Sequence, residues 1–175
     1  QLLEVRYLLH LGKQEGIDTL INDMLKASPD NAVSLQLAGI HALMQKRYAI
    51  AKRYLQSSFD ATPTVKTALL LAKAFQEAEN TESAITLLEN LPATLSAHIG
   101  IQSTLAEMYM ESSPSKAELI YLHLFNLEPN NYIFLNNLAT INIKKEHFET
   151  ALKYANKART IAPEHPEVLD TLRVA

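Results

Sequence analysis

The sequence has no cysteine in its 175 residues. Disulfides, thiolate metal sites and cysteine nucleophiles are therefore excluded. Glycine occurs four times and proline seven, a composition that fits neither a disordered nor a fibrous chain. The glycines are too scattered to build a phosphate-cradling loop, and no nucleophile elbow or calcium loop is present. An excess of positive charge is also missing. Sixteen basic residues against nineteen acidic ones give a net charge of −3. Because phosphate contacts dominate nucleic-acid affinity, a nucleic-acid partner is not expected. The longest apolar run, Ala68 to Ala72, falls far short of the roughly 20 residues that span a bilayer. The six histidines include no pair at i, i+4 and no HExxH, so no metal or other cofactor is expected. No catalytic residue can be assigned, and the chain is not expected to be an enzyme.

What the sequence does have is a repeat. Pro29, Pro63, Pro129 and Pro163 are separated by 34, 66 and 34 residues, the middle gap being two periods of 33. Ala51, Ala84, Ala117 and Ala151 follow at 33, 33 and 34, and Gly39, Ala72, Ala106 and Ala139 at 33, 34 and 33. Three sets of markers thus share one period. The apolar residues recur at helical spacing, and no alternating strand pattern survives. The pattern predicts helices over 2–11, 17–27, 32–45, 48–59, 65–78, 82–91, 97–111, 114–127, 131–144, 148–161 and 166–175. The prolines fall outside helix interiors or in a first turn. Asn31, Thr64, Ser113 and Asn131 stand where helix N-caps are needed. The cluster Glu164, His165, Pro166, Glu167 is read as capping chemistry between repeats. The recurrent small residues mark close helix crossings, where a larger side chain would overpack.

These residues resemble the tetratricopeptide repeat, whose pattern is W-x2-L-G-x2-Y, then A-x3-F, then P. The last full repeat is the clearest, with Leu135, Leu138 and Ala139, then Phe148, Ala151, Ala155 and Ala158, then Pro163. The second reads Leu35, Ala38 and Gly39, then Tyr48, Ala51 and Leu55, then Pro63. The third lacks its final proline, with Pro92 early instead, and the fourth has a turn one residue short at 112–115. The first is weakest, with Gly12, Ile17, Ile21, Met24 and Pro29 in register and Glu4 where the family prefers leucine. The resemblance implies an all-α fold, an α-α superhelix or solenoid of about five helix-turn-helix repeats plus a terminal helix. The repeats fall at about 1–30, 31–64, 65–97, 98–130 and 131–164, with 165–175 starting a further or capping helix, all in one array over 1–175.

In such a solenoid the first helix of each repeat lines a concave face, which in this family is the usual ligand groove. Carried over slot by slot, the groove is Val33, Gln36, Leu37, Ile40 and Met44 in the second repeat, and Lys66, Leu69, Leu70 and Lys73 in the third. The fourth repeat contributes Ser103, Thr104, Glu107 and Met110. Ile133, Asn136, Asn137, Thr140 and Lys144 come from the fifth. The second repeat's share is unusually apolar, which often marks an interaction site. Asn137 stands where peptide-binding members grip a ligand backbone. The basic clamp by which some members hold a C-terminal carboxylate is not reproduced, since Ile133 stands at one of its lysine positions. The resemblance thus implies a protein or peptide partner, though not the tail of a heat-shock chaperone. Tyr48, Phe75, Tyr109, Tyr121 and Phe148 occupy packing slots and are assigned to the core. Tyr132 and Phe134 either pack on the preceding turn or face a partner. Lys144, Lys145, Lys153, Lys157 and Arg159 form a basic run, either a solvated helix face or a patch for an acidic partner.

A narrower resemblance lies at the C-terminal end. Leu135-Asn136-Asn137-Leu138-Ala139, then residues 151–158, then Ala162-Pro163, then Leu169-Asp170-Thr171-Leu172 are similar to bacterial repeat proteins of the PrsT type. These belong to exopolysaccharide export and the PEP-CTERM/exosortase system, and many are envelope lipoproteins. Arg173 departs from that run, which has glycine there. The leading expectation is a protein-interaction scaffold, placed in the bacterial envelope by this resemblance. The alternatives are a regulatory arm of a larger enzyme and a helical-repeat RNA-binding module, the latter disfavoured by the pI of about 6.1. Gln1 in place of Met marks the sequence as an expected piece of a longer chain. Leu169, Leu172 and Val174 give the last helix no polar capping face, so further repeat sequence is expected past Ala175, and self-association through the exposed end.

Overall fold

The computed structural model describes residues 2–11 and 16–175. Gly12, read above as part of the first repeat, lies outside them. Every regular element among the described residues is an α-helix. They fall into two compact units, 1–96 and 97–175.

The first unit holds α1 (Leu2–His10), α2 (Ile17–Ala27), α3 (Ala32–Met44), α4 (Tyr48–Ala61), α5 (Val65–Glu77), α6 (Thr81–Glu89) and the single turn α7 (Ala93–Ser96). The second holds α8 (Ile99–Ser112), α9 (Pro114–Leu127), α10 (Tyr132–Lys144), α11 (Phe148–Ile161) and α12 (Pro166–Val174). Helix starts are set largely by short polar side chains. Asn31 Oδ1 accepts from the backbone N–H groups of Val33 and Ser34 at 3.1 and 3.0 Å. Thr64 caps α5 through Thr67 N–H, and Asn131 caps α10 through Ile133 N–H, both at 3.1 Å. Each satisfies a donor that the first helical turn leaves open. Ser113 stands at the start of α9 but makes no side-chain cap bond. There Pro114 at the first turn removes one of the open donors instead. Asn80 and His98 provide caps that the sequence pattern did not single out.

Three hairpin turns share one geometry. Lys46, Glu79 and Glu146 adopt left-handed φ angles of 57°, 57° and 59°. The N–H of the next residue then reaches back to the preceding helix, as Arg47 does to Ala42 O at 2.8 Å and His147 to Asn142 O at 2.8 Å. This is the Schellman closure, which satisfies carbonyls at a helix end. The α8–α9 turn is shorter, because Ser113 closes one helix and opens the next. Pro92 does not end a second helix in the repeat pattern; it initiates α7, whose Leu95 N–H donates to Pro92 O at 2.8 Å.

The cores follow the small-residue markers. In the first unit Val5, Ile17, Ile21, Met24, Leu37 and Ala38 form one cluster, and Ala42, Ala51, Leu55, Leu71 and Ala74 another. Val5 fills the core in place of Glu4, which is exposed. The register of α1 is thus one residue away from the family slot. In the second unit Leu135, Ala158 and Val168 join partly buried Phe125, Tyr132 and Tyr154. Ala51, Ala72, Ala84, Ala106, Ala117, Ala139 and Ala151 are all fully buried. Ala151→Phe is accordingly expected to lower the stability of the second unit by roughly 1–3 kcal/mol. A urea midpoint equal to wild type would show that the α10–α11 crossing has room to spare.

Some packing assignments change. Tyr109 and Tyr121 are buried, but Phe148 is 51% exposed. Tyr48 and Phe75 are half-buried, Tyr48 donating its hydroxyl to Glu77 at 3.0 Å. Phe134 is buried against Tyr121, with ring centroids 6.1 Å apart. Tyr132 lies against the His165 ring at 4.8 Å, and His165 makes no side-chain cap bond to α12.

Candidate functional site

The first helices of the first unit, α1, α3 and α5, lie side by side and offer a face with two adjoining recesses. One is lined by Arg6, Leu9, His10, Leu37, Ile40 and Lys66. The other runs over Ile40, Met44 and Leu70 to Lys73 and to the Tyr48–Glu77 pair. Ile40 belongs to both, so the surface is continuous from α1 to α5. Its floor is aliphatic and its rim carries Arg6, Lys46, Lys66 and Lys73, with Glu77 the one carboxylate. Gln36 spans α3 and α5 by donating to Thr67 Oγ1 at 2.7 Å, which fixes the spacing of the two helices. Val33 and Leu69 are half-buried. Leu37 is only 3% exposed and is built into the core with Val5 and Ile17.

Arg6, Leu9 and His10 were missed by the sequence reading. The repeat pattern is weakest in this helix, and the one-residue register change around Glu4 hides which side it presents. The i, i+3, i+4 spacing of Arg6, Leu9 and His10 is the signal that would have found them.

In the second unit, the expected positions are mostly polar and partly committed to one another. Asn137 Nδ2 donates to the Tyr121 hydroxyl at 2.8 Å, and Ser103 also bonds that hydroxyl. Burial pushes the Tyr121 phenol well above its usual range, the nearby Glu107 charge adds to this, and the Asn137 and Ser103 bonds oppose it. Glu107 is exposed as a residue, yet desolvation raises its carboxyl pKa, against a lowering bond to Ser103. Ser103, Glu107 and Asn137 from α8 and α10 therefore converge on one phenol of α9. Thr140 donates to Asn136 O at 3.0 Å. Asn136 itself is nearly closed off at 9% exposure. Thr104 and Met110 are half-buried, and Ile133 is 44% exposed.

The basic run is largely neutralised. Lys144 bonds Glu111, and Lys145 bonds Glu118. Lys153 bonds Glu149 at 2.8 Å and Lys157 sits over the Phe125 ring. No group of three or more His, Asp and Glu side chains that could hold a metal occurs among the described residues. No helix among them is long and apolar enough to cross a membrane.

No protein-family model matches the chain, and no curated protein is significantly similar to it. Solved structures do resemble it. YrrB, described as a tetratricopeptide-repeat protein with an unusual peptide-binding site, aligns over 97% of this chain and 88% of its own, at TM-score 0.78 and 16% identity. MamA aligns over 91% of this chain and 95% of its own, at TM-score 0.79 and 18% identity. A chain of the APC/C hetero-tetramer Cut9–Hcn1 aligns over 99% of this chain but 36% of its own, at TM-score 0.73 and 18% identity. The sequence period, the stacked hairpins and these likenesses agree on one architecture: the chain has the tetratricopeptide-repeat fold.

Proposed function

We propose that this chain is a protein-interaction module that seats a segment of a partner protein on the face formed by α1, α3 and α5. The observation that carries this reading is the continuity of the two recesses through Ile40, with an aliphatic floor and a basic rim. A partner segment suited to it has apolar side chains for the floor and acidic ones for Arg6, Lys66 and Lys73. Burying one aliphatic side chain contributes about 1.5–3 kcal/mol, and the peripheral charges contribute more to approach and orientation than to affinity. YrrB, a structure of the same fold described as having a peptide-binding site, supports a peptide segment as the kind of ligand. No catalytic role is part of this proposal.

The setting we propose is a bacterial envelope system for exopolysaccharide export or protein sorting. It rests on the likeness of residues 135–172 to the PrsT type and is tested by fractionating cells that make the natural protein.

The groove is tested by using the chain as bait, identifying a partner and measuring its affinity for Ile40→Lys with Leu70→Glu. Both positions are half-buried in the recess and pack at the edge of the cores, so binding is compared once the circular dichroism spectrum of the double variant matches wild type. Binding is expected to weaken at least about a hundredfold, from two lost aliphatic contacts. A partner that binds the folded double variant as tightly as wild type binds elsewhere.

A further inference from the structure

The first unit carries a second recess, of about 290 Å³, between α2, α3 and α4. Its polar lining is Asp18 and Asn22 from α2, His41 and Gln45 around the end of α3, Arg47 just before α4, and Arg53 and Tyr54 within α4, the Arg53 guanidinium lying over the Tyr54 ring at 5.3 Å. It shares no lining residue with the two recesses of the interaction face. Among the described contacts neither arginine pairs with a carboxylate, and the one carboxylate of the recess is already engaged. Asp18 Oδ1 lies 3.0 Å from His41 Nε2.

His41 is 96% buried by the complement of its 4% exposure, and its hydrogen bonds conflict. Arg47 donates to Gln45 Oε1 at 2.9 Å, which turns the Gln45 amide so that its Nε2 faces His41. That nitrogen is 3.0 Å from His41 Nε2. The same imidazole atom thus faces a carboxylate, which can only accept, and an amide nitrogen, which can only donate. An Nε2–H suits Asp18 and opposes Gln45. An Nε2 lone pair suits Gln45, opposes Asp18 and puts the proton on Nδ1, which is buried without a partner. No tautomer satisfies all three while Arg47 holds Gln45 in this orientation, and the exposed Arg47 is the member of the set free to take another acceptor.

We propose that this recess binds a small oxyanion, a carboxylate or a phosphate group, held by the guanidinium groups of Arg47 and Arg53. An oxyanion that takes the Arg47 N–H donors frees Gln45 Oε1. The amide then turns over, its Nε2 donating to the anion and its Oε1 accepting, with Asp18, from His41 Nε2–H. His41 Nδ1 is left with a lone pair rather than a stranded proton, the cheaper orphan of the two. Two guanidinium charges face the single Asp18 carboxylate; all three groups are exposed, so the excess positive charge acts at short range. Arginine forks match the geometry of carboxylate and phosphate oxygens.

The test is a nitrogen-15 NMR titration of the whole chain with inorganic phosphate and, separately, with acetate, at constant ionic strength held by sodium chloride. Saturable shifts are expected at the Arg47 guanidinium, the Gln45 side-chain amide and the His41 ring across the millimolar range, the ring settling as the Nε2–H tautomer. Saturation by acetate alone assigns the site to an acidic side chain, by phosphate alone to a phosphate group, and by both to their shared chemistry. Arg47→Gln with Arg53→Gln, both exposed positions, is expected to bind at least about tenfold more weakly with an unchanged circular dichroism spectrum. The proposal is overturned if neither anion saturates these resonances, or if the double variant titrates like wild type. Neither outcome bears on partner binding to the α1–α3–α5 face.

Discussion

Gly39→Val is expected to lower the stability of the first unit by about 3 kcal/mol, the upper end of ordinary overpacking. A Cβ built at Gly39 stands 2.5 Å from Leu55 Cγ and 2.7 Å from Leu55 Cδ2, distances that real contacts do not reach. Leu55 is the far wall of this crossing and is fully buried. It cannot swing into solvent, so it must crowd Ala51, Leu71 and Ala74, with which it packs. The interaction is tested directly by a size exchange. Gly39→Ala and Leu55→Ala each destabilise alone, one by crowding and one by a cavity. Together they compensate in part, because removing Leu55 Cγ and its methyls makes room for the new methyl. Urea denaturation of the four proteins gives the coupling; single effects that add within about 0.5 kcal/mol would mean the two sites do not meet.

Tyr121→Ala is expected to cost the second unit roughly 3–5 kcal/mol, the range for deleting a buried ring. The side chain is fully buried, stacks obliquely on Phe134 and anchors the polar cluster through its hydroxyl. Tyr121→Phe separates those roles. The ring stays, but Asn137 Nδ2 loses its acceptor, and the expected cost falls to about 1–3 kcal/mol. A Tyr121→Phe protein as stable as wild type would show that Asn137 finds another partner at no cost. Asn137→Ala should then be tested beside it, since the pair is expected to be strongly non-additive.

Much of the fold was legible because the repeat imposes several independent signals on each hairpin. Asn31, Thr64 and Asn131 cap where they were expected, and the buried alanines sit at the crossings their period marks. The parts that were not legible are those set by a neighbour rather than by the helix itself. Phe148 occupies a packing slot in the pattern, yet it is exposed because it opens α11 at the edge of the second unit's core. Leu37 reads as a groove residue from its position on α3 and does line a recess, but its depth is set by Val5 of α1 and Ile17 of α2, which share its core cluster. The contribution of Arg6, Leu9 and His10 was hidden by the same α1 register. The conflict around His41 has no sequence signature. It arises from the tight α3–α4 turn, which sets Gln45 and Arg47 on either side of Lys46.

That turn and its two counterparts also bear on how much change the molecule tolerates. A left-handed conformation costs an ordinary L-residue roughly 1–2 kcal/mol, a strain glycine does not have. Here the position is held three times by a long, exposed charged side chain: Lys46, Glu79 and Glu146. Glycine at any of them would relieve the strain without touching a buried atom, against about 0.5–1 kcal/mol of added backbone entropy in the unfolded chain. Natural sequences commonly stop short of their most stable form, and these turns are where this one does so. They give the engineer, and equally the course of evolution, a local offset for destabilising changes on the first helices of the repeats, so that residues on those faces can change while the scaffold beneath them holds.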